Sequence, residues 1–403
     1  MSQVVLDEAV SLVLDDVVAI RHDIHRHPEI GMQEKRTAAI AAEWLRRCGC
    51  DEVAEGVGRT GVVGVIRGSL PGSGMVGFRA DMDALAMTEK SGVPWSSEIL
   101  GMQHGCGHDG HVATALALAS ALSSDRSFVG TAVIIIQPGE EGFAGAREMI
   151  RDGLFERWNM DEVYAQHGGV ELPVGQYGMT QGPMMAAADR FVIDVLGVGG
   201  HGGRPNRCVD PVVAAAQIIM QLQTIASRSV NPMNPAVVTV GHVLAGQEEA
   251  VSVIPDRARL TGTTRCMHPQ DRDMIERRMG EICDGVALGT GCKVEFAYKR
   301  MYPPTINHEE QRQAVASFLA GEIGEDNVRL DYPASMGAED FAFMLERRPG
   351  CYIRTGTRDE QHAAGAHHPA FDFNDRVIGP TASLFARFMR QRITLLSKRK
   401  ASE

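Results

Sequence analysis

Residues 131–142 read TAVIIIQPGEEG. The first seven form an apolar, β-branched run too short for a typical helix. That is the pattern of a strand buried on both faces, as in a parallel sheet covered by helices. Pro-Gly then turns the chain, and two glutamates stand at the strand's carboxyl end. Outward from this stretch, TGVVGVI (60–66), GMVGFRA (74–80) and DEVYAQ (161–166) read as further strands. HVATALALASAL (111–122) and FAGAREMIRDG (143–153) read as helices between them, preceded by helices over 4–24 and 34–48. The alternation predicts an α/β layer architecture.

The middle of the chain changes character. Strands are expected at 191–197, 235–243, 257–265 and 292–299, with helices at 210–227 and 269–288. The order βαββαβ is that of a ferredoxin-like unit. The expected division is a catalytic-type α/β domain over 1–187 and 301–403, with an inserted domain over 188–300. A helix over 379–396 closes the chain.

The 403 residues carry a net charge of −11, which argues against nucleic acid as the main partner. No signal peptide or membrane-spanning run is read, and the longest uncharged helical stretches fall short of a bilayer about 30 Å thick. Seven of the eight cysteines, all except Cys106, read as reduced, small apolar side chains, and cytoplasmic placement is expected.

Chemistry-bearing residues gather after the strands. Asp81 and Asp83 follow GMVGFRA, Glu140 and Glu141 follow TAVIIIQ, and His167 follows DEVYAQ. HGCGHDGH (104–111) precedes the helix at 111 and is expected as a loop, with Gly105, Gly107 and Gly110 letting it bend. Parallel strands would bring Asp81, Asp83, Cys106, His108, Glu140, Glu141 and His167 to one sheet edge, where open α/β sheets build their sites. Thiolate, imidazole and carboxylate together suit zinc, manganese or cobalt better than calcium or magnesium. Of two adjacent glutamates, one can ligate while the other reaches a bound water as general base. His22, His25, His27, His242, His268 and His308 read as ordinary satisfied loop residues.

Two other patterns carry less. GVGGHG (197–202) matches a dinucleotide fingerprint, but Arg204-Pro205-Asn206 intervene before any helix and no acid follows at ribose-binding distance. Cys106 as a nucleophile would leave the glutamate pair and the remote histidines idle.

IHRHPEIG (24–31), FRADMDAL (78–85), HGCGHDGH, IIQPGEEG (135–142), YAQHGG (164–169), VGGHGGRP (198–205), MGAEDFA (336–342) and HHPAFDFND (367–375) resemble, in order, the amidohydrolases of the aminoacylase and hippurate hydrolase family. The resemblance implies a metallopeptidase-like α/β domain and an inserted lid or dimerisation domain. It implies hydrolysis of the linear amide of N-acyl amino acids at a centre of one or two divalent ions, manganese or zinc, with cobalt and nickel as further candidates. Its ligands would be Cys106, His108, Glu141, His167 and His367, the last chosen over His368 by its spacing from Pro369. Glu140 would be general base, Asp83 an orienting carboxylate and His201 an oxyanion donor, often from a partner subunit of a homodimer or higher homo-oligomer. Arg265 or Asn206 would meet the substrate. Ala86, Ser252 and Asn206 depart from the family's usual residues at the lid and substrate rim. The alternatives are a metallo-dipeptidase, which must recognise a free amino group, and a non-catalytic metal-binding homologue.

Overall fold

The computed structural model describes residues 4–402. They form two compact units. The first takes the chain up to Gly182, then Ile306–Pro333, then the residues from Asp340 onward. The second takes Pro183–Thr305 and Ala334–Glu339.

In the first unit, helix α1 spans Glu8–Arg26 and α2 spans Lys35–Arg47. The Asp7 carboxylate caps α1 by accepting from Ala9 N at 3.0 Å. Strands β1 (Glu52–Val57), β2 (Gly61–Arg67), β3 (Leu70–Asp81), β4 (Val129–Gln137), β5 (Glu162–Pro173) and β6 (Tyr177–Gly178) follow. The eight-stranded sheet runs β1-β2-β4-β3-β5, then Gly350–Arg358, β6 and Val328–Arg329. Strands β3, β4, β5 and Gly350–Arg358 are parallel, whereas β1 and β2 pair antiparallel at one side. From Ala132 to Gln137, β4 is buried without interruption, as its uniform apolar run predicts.

Helix α3 starts at His108 and ends at Ser124. It is buried from His108 through Leu122 and flanked by α1 and the long helix Ile378–Ser402. A helix apolar all round has to be enclosed in this way. The early start corrects the expected loop over 104–111, because the last four residues of HGCGHDGH form the first helical turn. Gly107 makes this possible with φ 88°, a left-handed conformation that lets the backbone turn abruptly into the helix. Gly110, unlike Gly107, is not a bend. A Cβ there would lie 2.2 Å from Phe373 Cδ1, so glycine admits that ring against the helix.

In the second unit, Ala236–Ala245, Arg257–Cys266, Ala187–Leu196 and Lys293–Tyr302 form a four-stranded sheet in that spatial order, every pair antiparallel. Helices Pro211–Thr224 and Pro269–Thr290 pack on it through Ala214, Ile218, Ile275 and Met279 against Phe191, Ile193 and Leu260. The chain order is βαββαβ. Ala334–Glu339 joins this unit through Ser335, whose carbonyl accepts from Ala186 N at 3.1 Å. Among the described residues, no helix is long and apolar enough to cross a membrane.

Candidate metal centre

The carboxyl ends of the parallel strands place the site. Asp83 lies just past β3, and its carboxylate accepts from Glu140 N and Glu141 N, both at 2.9 Å. It therefore fixes the turn that carries both glutamates. Glu34 holds the same turn from the other side, accepting from Gly139 N at 2.7 Å. The Asp83 carbonyl, in turn, accepts from His108 Nδ1 at 2.9 Å, which turns Nε2 of that ring inward.

Cys106, His108 and Glu141 bring ligand atoms within 4.8 Å of one another. Cys106 Sγ lies 3.4 Å from His167 Nε2, and Glu141 Oε1 lies 3.0 Å from His367 Nε2. The neighbouring Cys106 and Glu141 side chains raise the His367 imidazole from 6.5 to about 10. The structure thus brings Cys106, His108, Glu141, His167 and His367 together. His367 and His368 are both exposed, and His368 Nδ1 turns instead to its own loop, accepting from Ala370 N at 3.1 Å. His108 Nε2 is buried with no hydrogen-bond partner among the described residues. A buried ring nitrogen without a hydrogen bond, 3.6 Å from Asp81 Oδ2 and grouped with the Cys106 thiol and the Glu141 carboxylate, fits a divalent cation of the borderline class. His167 lies within β5, which continues to Pro173, whereas the sequence suggested that the strand ended before it.

The three histidines of HGCGHDGH have three different fates. His104 is buried with neither ring nitrogen hydrogen-bonded among the described residues, and burial pushes its pKa down to about 3, so it is neutral. His108 faces the cluster. His111 accepts from Gly168 N at 2.9 Å through Nε2 and therefore carries its proton on Nδ1, which donates to Asp81 Oδ1 at 2.6 Å. His111 stands close enough to Asp81, His108 and His167 to be counted with them as a ligand set. With both ring nitrogens engaged it acts instead as a clamp, tying the backbone beside His167 to β3.

A second layer of partners stabilises this arrangement. Arg79 is fully buried and donates to Gln137 Oε1 at 2.7 Å, Asp81 Oδ2 at 2.7 Å and Asp340 Oδ1 at 3.1 Å. Asp340 accepts from Ala146 N at 2.9 Å, and its own N–H donates to Glu140 Oε1 at 3.3 Å. Burial disfavours the Asp81 charge, but Arg79 and the neighbouring histidines hold that carboxyl well below its usual range. Burial, reinforced by the Arg354 guanidinium, holds His167 well below the ordinary imidazole range and so neutral. On the far side, Asp109 accepts from buried His25 and pairs with buried Arg21, each at 2.8 Å. His25 and His22 are therefore not the loop residues the sequence suggested. Both lie on α1, and His22 pairs with Asp375 at 2.7 Å and stacks on Trp95.

Composition and spacing did not single out Arg79, His111, Asp340, His25 or Arg354. A buried arginine in the middle of a strand was the available signal for Arg79, since such a charge demands acids around it. The other candidate residues belong to the second unit. His201 and Asn206 are exposed, and His201 Nδ1 accepts from Gly203 N at 2.9 Å. Arg265 is half-buried and donates to Thr263 Oγ1 at 2.6 Å and Thr264 O at 3.2 Å, with no carboxylate partner among the described residues.

Comparison with known proteins agrees with this geometry. Residues 77–391 match the sequence profile of peptidase family M20/M25/M40. The chain is 36% identical over 371 residues to a hippurate hydrolase of Campylobacter jejuni, covering 91% of this chain and 94% of that one. It is 34% identical over 371 residues to an N-acetylcysteine deacetylase of Bacillus subtilis, covering 92% and 95%. A dinuclear metal-binding peptidase of the M20 family from Bacillus subtilis has a TM-score of 0.82 at 31% identity, covering 95% of this chain and 99% of that structure. The ligand-type side chains, from Asp81 to His367, lie within the matched residues, and the chain belongs to peptidase family M20/M25/M40.

Proposed function

We propose that the protein is a divalent-metal-dependent amidohydrolase that cleaves N-acyl amino acids to a carboxylic acid and a free amino acid. The observation that carries this reading is the placement of Glu140. Glu140 is 7% exposed and adjoins the ligand-type Glu141; Asp83 accepts from its backbone N–H, and Asp340 N–H donates to its carboxylate Oε1. Cys106, His108, Glu141, His167 and His367 would hold one or two ions, manganese or zinc, with cobalt and nickel as further candidates. Bound there, the cation supplies Lewis acidity, polarising the amide carbonyl and acidifying water.

Glu140 takes a proton from the attacking water and returns it to the leaving amine. Asp83 keeps Glu140 and Glu141 at fixed separation, so that one carboxylate can move protons while its neighbour ligates. His201 would donate to the oxyanion as charge develops on the carbonyl oxygen. Arg265, a guanidinium without a hydrogen-bonded carboxylate among the described residues, would receive the substrate's α-carboxylate, with Asn206 at the rim. The relatives named for hippurate and N-acetylcysteine support the N-acyl amino acid class.

Exposed Val243 and Leu244 on the edge strand Ala236–Ala245 support a homodimer formed through the second unit. The free state of the eight cysteines supports a reducing compartment, the cytosol.

The test is a panel of N-benzoyl-glycine, N-acetyl amino acids and unblocked dipeptides, assayed with ions present and after chelation. Chelator-sensitive release of amine from the N-acylated compounds is expected. Turnover of the dipeptides alone would select the dipeptidase, and no turnover of any compound a non-catalytic homologue.

A further inference from the structure

We propose that Arg354 is a positioning residue that raises the electron demand of the metal centre by pressing a cation against the outer side of His167. This inference rests on the metal-centre reading above.

Parallel pairing of β5 with Gly350–Arg358 sets Arg354 opposite His167, so the two side chains leave the sheet on the same face. Ligation through Nε2 requires the His167 proton on Nδ1, which then donates to Gly168 O at 2.7 Å. Arg354 Nη1 donates to the same carbonyl at 3.3 Å and lies 2.8 Å from Nδ1, to which it donates only when that nitrogen carries no proton, so in the ligating tautomer the guanidinium is a cation held against the ring's outer edge. The opposite edge of the ring, Nε2, faces Cys106 Sγ at 3.4 Å. The imidazole is therefore held between a guanidinium and the donor cluster.

A metal-binding histidine ordinarily turns its outer nitrogen to a carboxylate or carbonyl, which raises its basicity. His108 follows that rule, with Asp83 O at 2.9 Å and Asp83 Oδ1 at 3.3 Å. His167 inverts it, because its carbonyl partner is shared with a permanent positive charge. The other groups facing His167 are His111, Asp81 and His108. The Arg354 guanidinium lies 5.5 Å from the Tyr352 ring centre, and Tyr332, Glu171 and Cys106 are among the groups whose charge acts on it. Glu171 is exposed, so water screens its offsetting charge, whereas the side toward His167 is buried. The field of Arg354 acts inward. It withdraws electron density from one ligand and repels the cation, weakening metal binding while strengthening the Lewis acidity of what is bound.

The experiment titrates Zn²⁺ against a competing chelator on the full chain, for the native protein and for Arg354→Met, Arg354→Gln and Arg354→Lys. Both neutral variants are expected to bind zinc about tenfold tighter, and Arg354→Lys to stay within about threefold of native. The acid limb of kcat/KM against N-acetyl amino acids is expected to move to higher pH in the neutral variants only. A merely structural arginine would give weaker or unchanged zinc binding in Met and Gln alike, and that result overturns the proposal. If only one neutral variant folds, its zinc affinity decides. Absence of zinc binding by the native protein would instead overturn the metal-centre reading itself.

Discussion

His367 Nε2 lies 3.0 Å from Glu141 Oε1 across 226 positions of sequence, and the backbone at His367 is left-handed, with φ 65°. A non-glycine residue in that region carries strain of about 1–3 kcal/mol, kept where function demands the side chain. His367→Ala should lose metal affinity by at least tenfold and keep the strain. His367→Gly should lose the same affinity but melt at a higher temperature than His367→Ala. Calorimetry of the two metal-free variants checks the ordering. Equal melting temperatures would mean that the conformation is not strained.

Asp83 accepts two backbone N–H groups, those of Glu140 and Glu141. In Asp83→Asn one oxygen becomes a donor facing an N–H. The turn then shifts, carrying the proposed base Glu140 and the proposed ligand Glu141 together. Turnover is expected to fall about 10–100-fold, with metal binding weakened to a similar degree. Parallel kcat and metal-affinity measurements check this, and unchanged values would remove Asp83 from the account.

Gly110 sits in the first turn of α3 with the Phe373 ring where its Cβ would be. Helix propensity alone favours alanine there by about 1 kcal/mol. Overpacking costs about 1–3 kcal/mol, and here the neighbour is a fully enclosed ring, so the clash should win. Gly110→Ala should melt several degrees lower than native. A stabilised variant would contradict the packing described for Phe373.

His25 is buried against Asp109. Burial lowers its basicity, but the Asp109 and Glu89 carboxylates outweigh this and raise its pKa from 6.5 to about 9. A group with a raised native pKa stabilises the fold fully below its unfolded value and loses that contribution as pH climbs through the native one. Stability of the metal-free protein should therefore decline between pH 6.5 and 9, and His25→Gln should flatten the decline. Urea midpoints across that window test it. An identical slope in both proteins would assign the decline to other groups.

The sheet was legible because its strands announce themselves locally. TAVIIIQ is apolar throughout, and the acids follow the strands directly. The donor cluster was legible because Cys106 and His108, and likewise Glu140 and Glu141, are neighbours in sequence. The support was not. Arg79 and Asp340 are 261 positions apart, and the two donors to Asp83 are backbone groups with no sequence signature. The start of α3 was misplaced because glycines at 107 and 110 look alike in sequence. One is a left-handed entry to a helix and the other makes room for Phe373, a residue far along the chain. Arg354 reaches His167 only through strand pairing, which no local pattern reports.

Glu140→Gln gives the most direct measurement. The amide keeps the shape of the side chain and removes its ability to accept a proton. Metal content should equal that of the native protein, and kcat on N-acetyl amino acids should fall by about 10²–10⁴-fold. Full activity at equal metal content would contradict the assignment of Glu140 as the group that moves the proton.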